Sequence, residues 1–430
     1  MKKLEQPVEE LPDFLKIPKP LQEKFFSAVA EEVSELVQRM DSMPGLIDEV
    51  KTQLSGGVRA LAFDDGWREL SAAVVDGSDV PAVDDRIGLR YGLYAVAYKL
   101  FRGLDSVEGG EGFFGDRLSG KISLHRESFL KILDLATTYY ERLTASHLLE
   151  RQKPDLLIVD GSFFGYRAGC SMIKDEQLGW RDNLTGEVFG KVYDLISRIN
   201  ELTVKILKSD RAVGVIKRVP TMAIDGYICY RLGLEKGVEL ADRSILSLIM
   251  RRGEVFDYGA VFGTDVRYDV YSWFRQTARE EALSRKGREE VLRKAEHRVK
   301  VQLVADLTDW SRERGGSWKQ YEEHPIVAAA RSTRRVFLRT VEDLPPICLE
   351  LPEKMPEDFV NKVLSYVYAT ANPATGLPLP LDLVDELVSL PRGIGREFVN
   401  EIEAELVRRG VSKESLLAVF SRYNPQKDEP

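Results

Sequence analysis

Cysteine and histidine are scarce in this chain, and neither residue type forms a metal-binding motif. The three cysteines among 430 residues, Cys170, Cys229 and Cys348, lie far apart and form no CxxC pair. Isolated cysteines of this kind are typical of reduced thiols in a cytoplasmic protein. The four histidines form no HExxH motif and no ligand set with cysteine. The sequence therefore gives no support for a structural zinc site.

The chain also lacks an excess of positive charge and any long apolar run. It has 61 basic and 69 acidic side chains, a formal net charge of −8. Any site for a polyanion must therefore be a local basic patch. No uncharged run approaches the length of a membrane span, and residues 1–14 contain no apolar signal segment. We therefore expect a cytoplasmic protein that neither enters nor crosses a membrane.

Short apolar strands alternate with helices through the first half of the chain. Runs rich in β-branched residues predict buried strands at 70–76, 155–160 and 212–217. Helical spacing of apolar residues predicts helices over about 124–151 and about 187–208. Strands that alternate with helices in this way indicate an α/β fold.

Two further patterns lie between the first two of these strands. Residues 86–101 alternate and are rich in aromatic residues, which predicts one or two antiparallel strands and hence a mixed sheet. Residues 103–120 contain six glycines, and we expect a mobile loop there.

Three segments are expected along the chain. Residues 1–69 form an N-terminal helical segment, residues 70–393 an α/β domain, and residues 394–430 C-terminal helices. A charged, basic helical insertion is expected in the domain at about 275–330. The amphipathic pattern over residues 21–54 is explained either by packing on its own domain or by docking to a second copy or a partner.

Two identical Val-Asp-Gly-Ser tetrapeptides mark the ends of the first two buried strands, at Asp76 and Asp160. If the strands lie side by side, their carboxylates converge at one edge of the sheet. Clustered carboxylates repel one another and persist mainly where a cation neutralises them. An all-oxygen set favours magnesium or manganese. The alternative is two ordinary strand-to-turn junctions, since Asp-Gly is a common turn dipeptide.

A third ligand is expected from the helix that precedes Asp160. That helix offers Glu141, 19 residues upstream, and Glu127, near the helix start. An acid at the start of a helix is also explained by the helix dipole, which favours Glu141 as the ligand. Either glutamate is alternatively a solvated surface residue.

The order of these motifs resembles that of the NurA nuclease family. The resemblance rests on five features in sequence: Asp-Gly-Ser after the first strand, a helix with a glutamate, Leu-Leu-Ile-Val-Asp-Gly-Ser-Phe, Val-Gly-Val-Ile-Lys-Arg, and a late Gly-Leu-Pro-Leu-Pro-Leu that precedes Asp385. It covers roughly residues 70–390. Each motif alone is weakly specific, so the resemblance depends on their order.

The resemblance implies an RNase H-like fold, a mixed sheet flanked by helices with helical additions at both termini. It implies a metal site of Asp76, Glu141, Asp160 and Asp385 that holds manganese or magnesium, as two ions. Lys217, at the end of the third strand, joins Asp76, Glu141 and Asp160 as a catalytic residue. Asp385 stands where family members often have a histidine.

The function that the resemblance implies is that of a deoxyribonuclease. Such an enzyme hydrolyses phosphodiester bonds in single-stranded DNA, as an endonuclease and exonuclease, and at duplex ends in the 5′→3′ direction. Family members are homodimers that act with a HerA-type hexameric translocase in DNA end resection and recombinational repair. The alternative is a non-catalytic RNase H-like adaptor that regulates a DNA translocase.

DNA contacts outside the metal site are expected near the start of the basic insertion. Lys217 and Arg218 follow the third strand, and Trp273 and Arg275 open the basic helical stretch. Glutamates alternate with the cations over residues 275–300. A salt-bridged surface helix therefore remains the alternative explanation of that stretch.

Overall fold

The computed structural model describes residues 13–41, 43–80, 84–86, 88–121, 124–233, 237–263, 267–277 and 285–421. It contains two compact units, Met1–Ser55 and Gly56–Pro430. Its helices are α1 (Asp13–Lys16), α2 (Lys19–Asp41), α3 (Met43–Leu54), α4 (Arg126–Arg151), α5 (Cys170–Ile173), α6 (Val192–Leu207), α7 (Ala223–Leu232), α8 (Asp242–Ile249), α9 (Tyr258–Phe262), α10 (Tyr268–Thr277), α11 (Arg285–Leu307), α12 (Pro325–Arg331), α13 (Glu357–Ala369), α14 (Leu379–Val388), α15 (Ile394–Arg408) and α16 (Lys413–Phe420). Its strands are β1 (Val58–Ala60), β2 (Ser71–Asp79), β3 (Asp84–Asp85), β4 (Leu89–Arg102), β5 (Asp105–Lys121), β6 (Leu156–Asp160), β7 (Gln177–Arg181), β8 (Val188–Lys191), β9 (Ala212–Ile216), β10 (Glu254–Asp257), β11 (Thr333–Leu338) and β12 (Ile347–Pro352).

A mixed sheet forms the centre of the second unit. The order along it is β1-β10-β11-β12-β9-β6-β2-β4-β3, and β5 pairs with β4. Strand β6 pairs in parallel with β2 on one side and with β9 on the other. The other pairings in the sheet are antiparallel, so the parallel strands lie at its middle.

The middle strands are apolar because both faces of the sheet are covered, as expected for parallel strands. Alternate residues of β2 point to opposite sides of the sheet. Ala73 and Val75 join a core with α4, α6 and α11. Ala72 and Val74 join a second core with α13 and α14. The strands predicted near 70–76, 155–160 and 212–217 are confirmed as β2, β6 and β9.

The glycine-rich segment 103–120 is not the mobile loop that the sequence predicts. It forms most of β5, which pairs with β4 along nearly its whole length. The reason is that two of these glycines lie against aromatic rings. A Cβ at Gly112 would lie 2.5 Å from the Tyr98 ring, and one at Gly120 would lie 2.9 Å from the Phe129 ring. Here glycine makes room for packing and does not mark a turn.

Helix α2 of the first unit carries an exposed apolar stripe. Leu21, Val29, Val33, Leu36 and Val37 are each between 41% and 53% exposed. No helix in the described part of the chain is both long enough and apolar enough to span a membrane. The structure does not test the predicted division at residues 69 and 393, which remains a prediction.

Candidate metal centre

The parallel pairing of β2 with β6 brings two aspartates together at one edge of the sheet. Val75 is paired with Val159, so Asp76 and Asp160 follow at neighbouring positions. Asp76 is only 2% exposed. The strand ends therefore converge as the duplicated tetrapeptide predicts.

Two further charged side chains reach the same edge from distant parts of the chain. Asp385 projects from α14, and carboxylate oxygens of Asp76, Asp160 and Asp385 all lie within 4.8 Å of one another. Lys217 directly follows β9. Its Nζ lies 2.5 Å from Asp385 Oδ1, 3.1 Å from Asp160 Oδ2 and 3.7 Å from Asp76 Oδ2. One ammonium group thus contacts all three carboxylates.

Burial and mutual repulsion shift the pKa values of this cluster. Burial, reinforced by Asp160, raises the pKa of Asp76 to about 9. Burial likewise raises the pKa of Asp160. Burial opposes the charge of Lys217, yet Asp160, Asp76 and Asp385 raise the pKa of its ammonium group above the ordinary value. Lys217 alone therefore does not compensate for the burial and mutual repulsion of the carboxylates, and their full ionisation is disfavoured.

Glu141 lies beside this cluster, whereas Glu127 is exposed in the first turn of α4. Glu141 is buried against Gly77, where a Cβ would lie 2.6 Å from Glu141 Oε1. Burial, together with Asp160 and Asp134, raises the pKa of Glu141 to about 7, although Arg142 lowers it. Glu141 lies outside the set of three aspartates whose oxygens are within 4.8 Å.

A buried network that the sequence pattern does not predict braces the turn after Asp160. Glu350 Oε2 on β12 accepts hydrogen bonds from Ser162 Oγ and from the Phe163 backbone N–H, each at 2.7 Å. Arg335 Nε donates to Glu350 Oε1 at 3.3 Å. Arg142, from α4, donates to the Ser162 carbonyl oxygen at 3.2 Å. The available signal was a lone acid, Glu350, inside the apolar run Ile-Cys-Leu-Glu-Leu.

The helix that carries Asp385 is oriented differently from the sequence prediction. Apolar spacing predicts that Leu383, Leu387 and Leu390 pack inward. Leu390 is partly buried against the core, but Leu383 and Leu387 are 36% and 42% exposed. Leu381 and Val384 are buried instead. Pro378 and Pro380 precede or open the helix, as expected for residues that cannot sit in a helix interior.

A cleft of about 1140 Å³ adjoins the cluster. Its lining includes the predicted DNA-contact residues Lys217, Arg218, Trp273 and Arg275, together with Asp160 and Asp385. Arg275 also pairs with Asp225 at 2.7 Å and Glu239 at 3.3 Å. Trp273 lies under the guanidinium of Arg298, 4.2 Å from the ring centroid.

Helix α11 contains ion pairs of the kind that the salt-bridge explanation requires. Lys294 pairs with Glu290, and Lys300 with Glu296, both at a spacing of four residues. Part of the predicted basic stretch, residues 278–284, lies outside the described residues. Lys217, which lines the cleft, forms ion pairs with all three aspartates of the cluster.

Comparison with solved structures finds NurA structures among the matches. The NurA nuclease from Sulfolobus solfataricus is 12% identical, with a TM-score of 0.52, and the match covers 90% of this chain and 98% of that one. A NurA structure with manganese is 10% identical, with a TM-score of 0.44 and coverage of 90% and 99%. A NurA structure bound to dAMP and manganese is 10% identical, with a TM-score of 0.40 and coverage of 87% and 94%. The RNase H-like fold, a mixed sheet flanked by helices, is confirmed.

The amino-acid sequence gives the more direct evidence of family. None of the curated proteins compared has a significantly similar sequence. The NurA domain model, however, matches residues 107–390, which is more than half of the chain. The matched segment includes Glu141, Asp160, Lys217 and Asp385, and Asp76 precedes it. The chain therefore belongs to the NurA family.

Proposed function

We propose that this chain is a metal-dependent deoxyribonuclease that hydrolyses phosphodiester bonds in single-stranded DNA and at duplex ends, in the latter case in the 5′→3′ direction. One observation carries the proposal. Asp76, Asp160 and Asp385 converge at the strand ends of an RNase H-like sheet, with oxygens within 4.8 Å of one another. Membership of the NurA family supports the same activity.

The donor set fits a hard divalent cation. Asp76 Oδ2 and Asp160 Oδ1 are buried and accept no hydrogen bond from the described residues. A buried carboxylate oxygen without a donor costs free energy that a cation would offset. Since every candidate ligand offers oxygen, manganese or magnesium suits the site better than zinc.

We assign the ligand role to Asp76, Asp160 and Asp385, with Glu141 as the further ligand from α4. Two ions bound there would activate a water, neutralise charge on the phosphate and stabilise the leaving oxygen. Asp76 and Asp160 are fixed by the sheet, so they need little rearrangement to bind. Lys217 lines the cleft, where its ammonium group can contact a phosphate oxygen of the substrate.

The cleft supplies the DNA-binding surface in this proposal. Six basic and four acidic side chains line it, although the whole chain is net negative. Such a local excess attracts the phosphate backbone. Arg218 is exposed, and Trp273 offers a ring on which a base can stack. Arg275 is the weaker candidate because Asp225 and Glu239 already neutralise it.

We further propose a cytoplasmic homodimer that acts with a HerA-type hexameric translocase in end resection and recombinational repair. The exposed apolar stripe of α2 supports an interface, since isolated amphipathic helices need a partner for their apolar face. A chain that is net negative also gains from a partner that delivers DNA to it.

The rival proposal is a non-catalytic adaptor with the same fold. An adaptor has no need of mutually repelling buried carboxylates, which destabilise the fold unless a cation binds. The cluster of Asp76, Asp160 and Asp385 therefore favours an enzyme.

Cleavage of end-labelled single-stranded DNA in manganese separates these two proposals. Asp160→Asn should abolish cleavage while leaving the circular dichroism spectrum unchanged. Asp385→Asn should lose activity at low manganese and recover part of it at high manganese, because the more exposed ligand is replaced. Glu386→Gln, on the same helix, is the matched control and should cleave normally. A wild-type protein that binds DNA but cleaves none of it, in manganese or in magnesium, would favour the adaptor.

A further inference from the structure

The ammonium group of Lys217 lies within ion-pair distance of all three aspartates of the cluster. Its Nζ lies 2.5–3.7 Å from an oxygen of each of Asp76, Asp160 and Asp385. Beside these aspartates, the guanidinium of Arg142 pairs with Glu141 at 3.7 Å. The ammonium group is thus the internal counter-ion of the aspartates.

A divalent ion bound by the same oxygens cannot share this position with Lys217. Magnesium and similar ions bind carboxylate oxygens at about 2.0–2.2 Å. An ammonium group that stayed within 2.5–3.7 Å of those oxygens would then lie close to the metal. At such separations, repulsion in a partly buried site is strong.

We propose that Lys217 acts as a displaceable counter-ion, which a divalent cation must expel from the carboxylate cluster in order to bind. This inference rests on the proposed function, because it assumes that the cluster binds metal. The lysine side chain has four rotatable carbon–carbon bonds and is partly exposed, with 27% of its side-chain surface accessible. It can therefore leave the cluster without movement of the backbone.

Once displaced, the ammonium group of Lys217 can contact the substrate. Lys217 lines the cleft beside Arg218, Asp160 and Asp385, so rotation away from the aspartates turns it toward the space that the substrate would occupy. A DNA phosphate there would replace the lost carboxylate contacts. Metal and DNA should consequently bind with positive coupling, since each favours the same displaced state of Lys217.

Manganese binding to the full-length protein, measured by isothermal titration calorimetry, tests the inference. Lys217→Met removes the competing charge and keeps most of the length of the side chain, so it should bind manganese more tightly, on the order of tenfold. Lys217→Arg keeps a charge in place and should bind no more tightly than the wild type. Arg218→Met removes a neighbouring charge outside the cluster and is the matched control for general electrostatic attraction; its affinity should stay within about twofold of the wild type.

The melting temperature, with and without manganese, is a second measurement that does not depend on activity. Without metal, Lys217→Met should melt below the wild type because three carboxylates lose their counter-ion. Added manganese should raise its melting temperature more than that of the wild type.

The outcomes distinguish this inference from the proposed function. Unchanged or weaker manganese binding by Lys217→Met, with normal binding by the wild type, would overturn the displaceable counter-ion and leave the nuclease proposal intact. An equal gain in affinity for Arg218→Met would also overturn it, since the effect would be a general one. A wild-type protein that binds no manganese would overturn both.

Discussion

At the scale of single residues, the two Val-Asp-Gly-Ser tetrapeptides are identical in sequence but use glycine for different reasons. Gly161 has φ +79°, a left-handed conformation that favours glycine. Gly77 lies in a strand, where a Cβ would meet Glu141 Oε1 at 2.6 Å and Thr137 Cγ2 at 2.8 Å. Gly77 therefore controls how closely α4 approaches β2.

The substitution Gly77→Ala should push Glu141 away from the cluster and lower the free energy of unfolding by about 1–3 kcal/mol. Gly115→Ala is the matched control in the same sheet, because a Cβ there meets no atom closer than 3.5 Å. Urea denaturation of both variants measures the difference. Equal stability of the two would show that Glu141 is not confined by Gly77.

Asp79 provides a prediction about pH. Burial and the neighbouring Asp134 raise the pKa of Asp79 from its ordinary value of 3.8 to about 6. The folded state therefore binds more protons than the unfolded state between these values, and the contribution of Asp79 to stability falls as pH rises through this window. Above it, the ionised side chain opposes folding.

Asp79→Asn should accordingly be more stable than the wild type at pH 8, by about 1–2 kcal/mol, and no more stable at pH 4. Chemical denaturation at the two pH values gives the comparison. Asp105→Asn, at the exposed turn between β4 and β5, is the control and should differ little from the wild type at both. A stabilisation by Asp79→Asn that is the same at both pH values would contradict the electrostatic explanation.

At the scale of secondary-structure elements, β12 supports the proposed metal centre, although none of its residues belongs to the cluster of three aspartates. Glu350 on this strand holds the turn after Asp160 through Ser162 and the Phe163 backbone. Groups that orient metal ligands typically change metal affinity 10–100-fold when removed, although the metal itself does not touch them. Glu350 is 1% exposed, so its contacts are not replaced by solvent.

Glu350→Ala should therefore weaken manganese binding by about 10–100-fold, whereas Glu350→Gln should lose less because its amide oxygen still accepts from Ser162. Manganese titration followed by calorimetry measures both, after circular dichroism has shown that the variants are folded. Glu353→Ala, exposed just beyond the strand, is the control. If folded Glu350→Ala binds manganese as the wild type does, the turn does not depend on β12.

At the scale of the whole molecule, α2 carries an exposed apolar stripe that suits an interface. Val29 and Val33 are 53% and 51% exposed at a spacing of four residues, on one face of the helix. Burial of such a stripe in a dimer would contribute roughly 25 cal/mol for each Å² of apolar surface removed from water. The carboxylate cluster belongs to the other compact unit.

The double substitution Val29→Glu/Val33→Glu should convert a homodimer to a monomer at micromolar concentration in analytical ultracentrifugation. Ser27→Glu/Ser34→Glu introduces the same charge on the opposite face of α2 and should remain dimeric. A monomeric wild-type protein, or dimers of equal strength in both double variants, would rule out the α2 stripe as the dimer interface.

The sequence by itself determined the strands at the centre of the fold and the positions of Asp76 and Asp160 at their ends. Both follow from local hydrophobic patterns, because burial on two faces leaves an apolar run that stops where the chain meets solvent. Family membership was also readable from the order of the motifs, and it is confirmed.

The family resemblance named Asp385 and Lys217, but only the tertiary structure decided how they meet these two aspartates and added Glu350. Asp385, Lys217 and Glu350 come from elements far apart in the chain, and their convergence depends on strand order and helix packing. The sequence also suggested a loop where β5 forms, because a glycine that avoids a neighbouring ring looks the same as a glycine that allows a turn. The convergence of these side chains and the packing of these glycines both depend on contacts between residues far apart in the sequence. A pattern of neighbouring residues does not show such contacts.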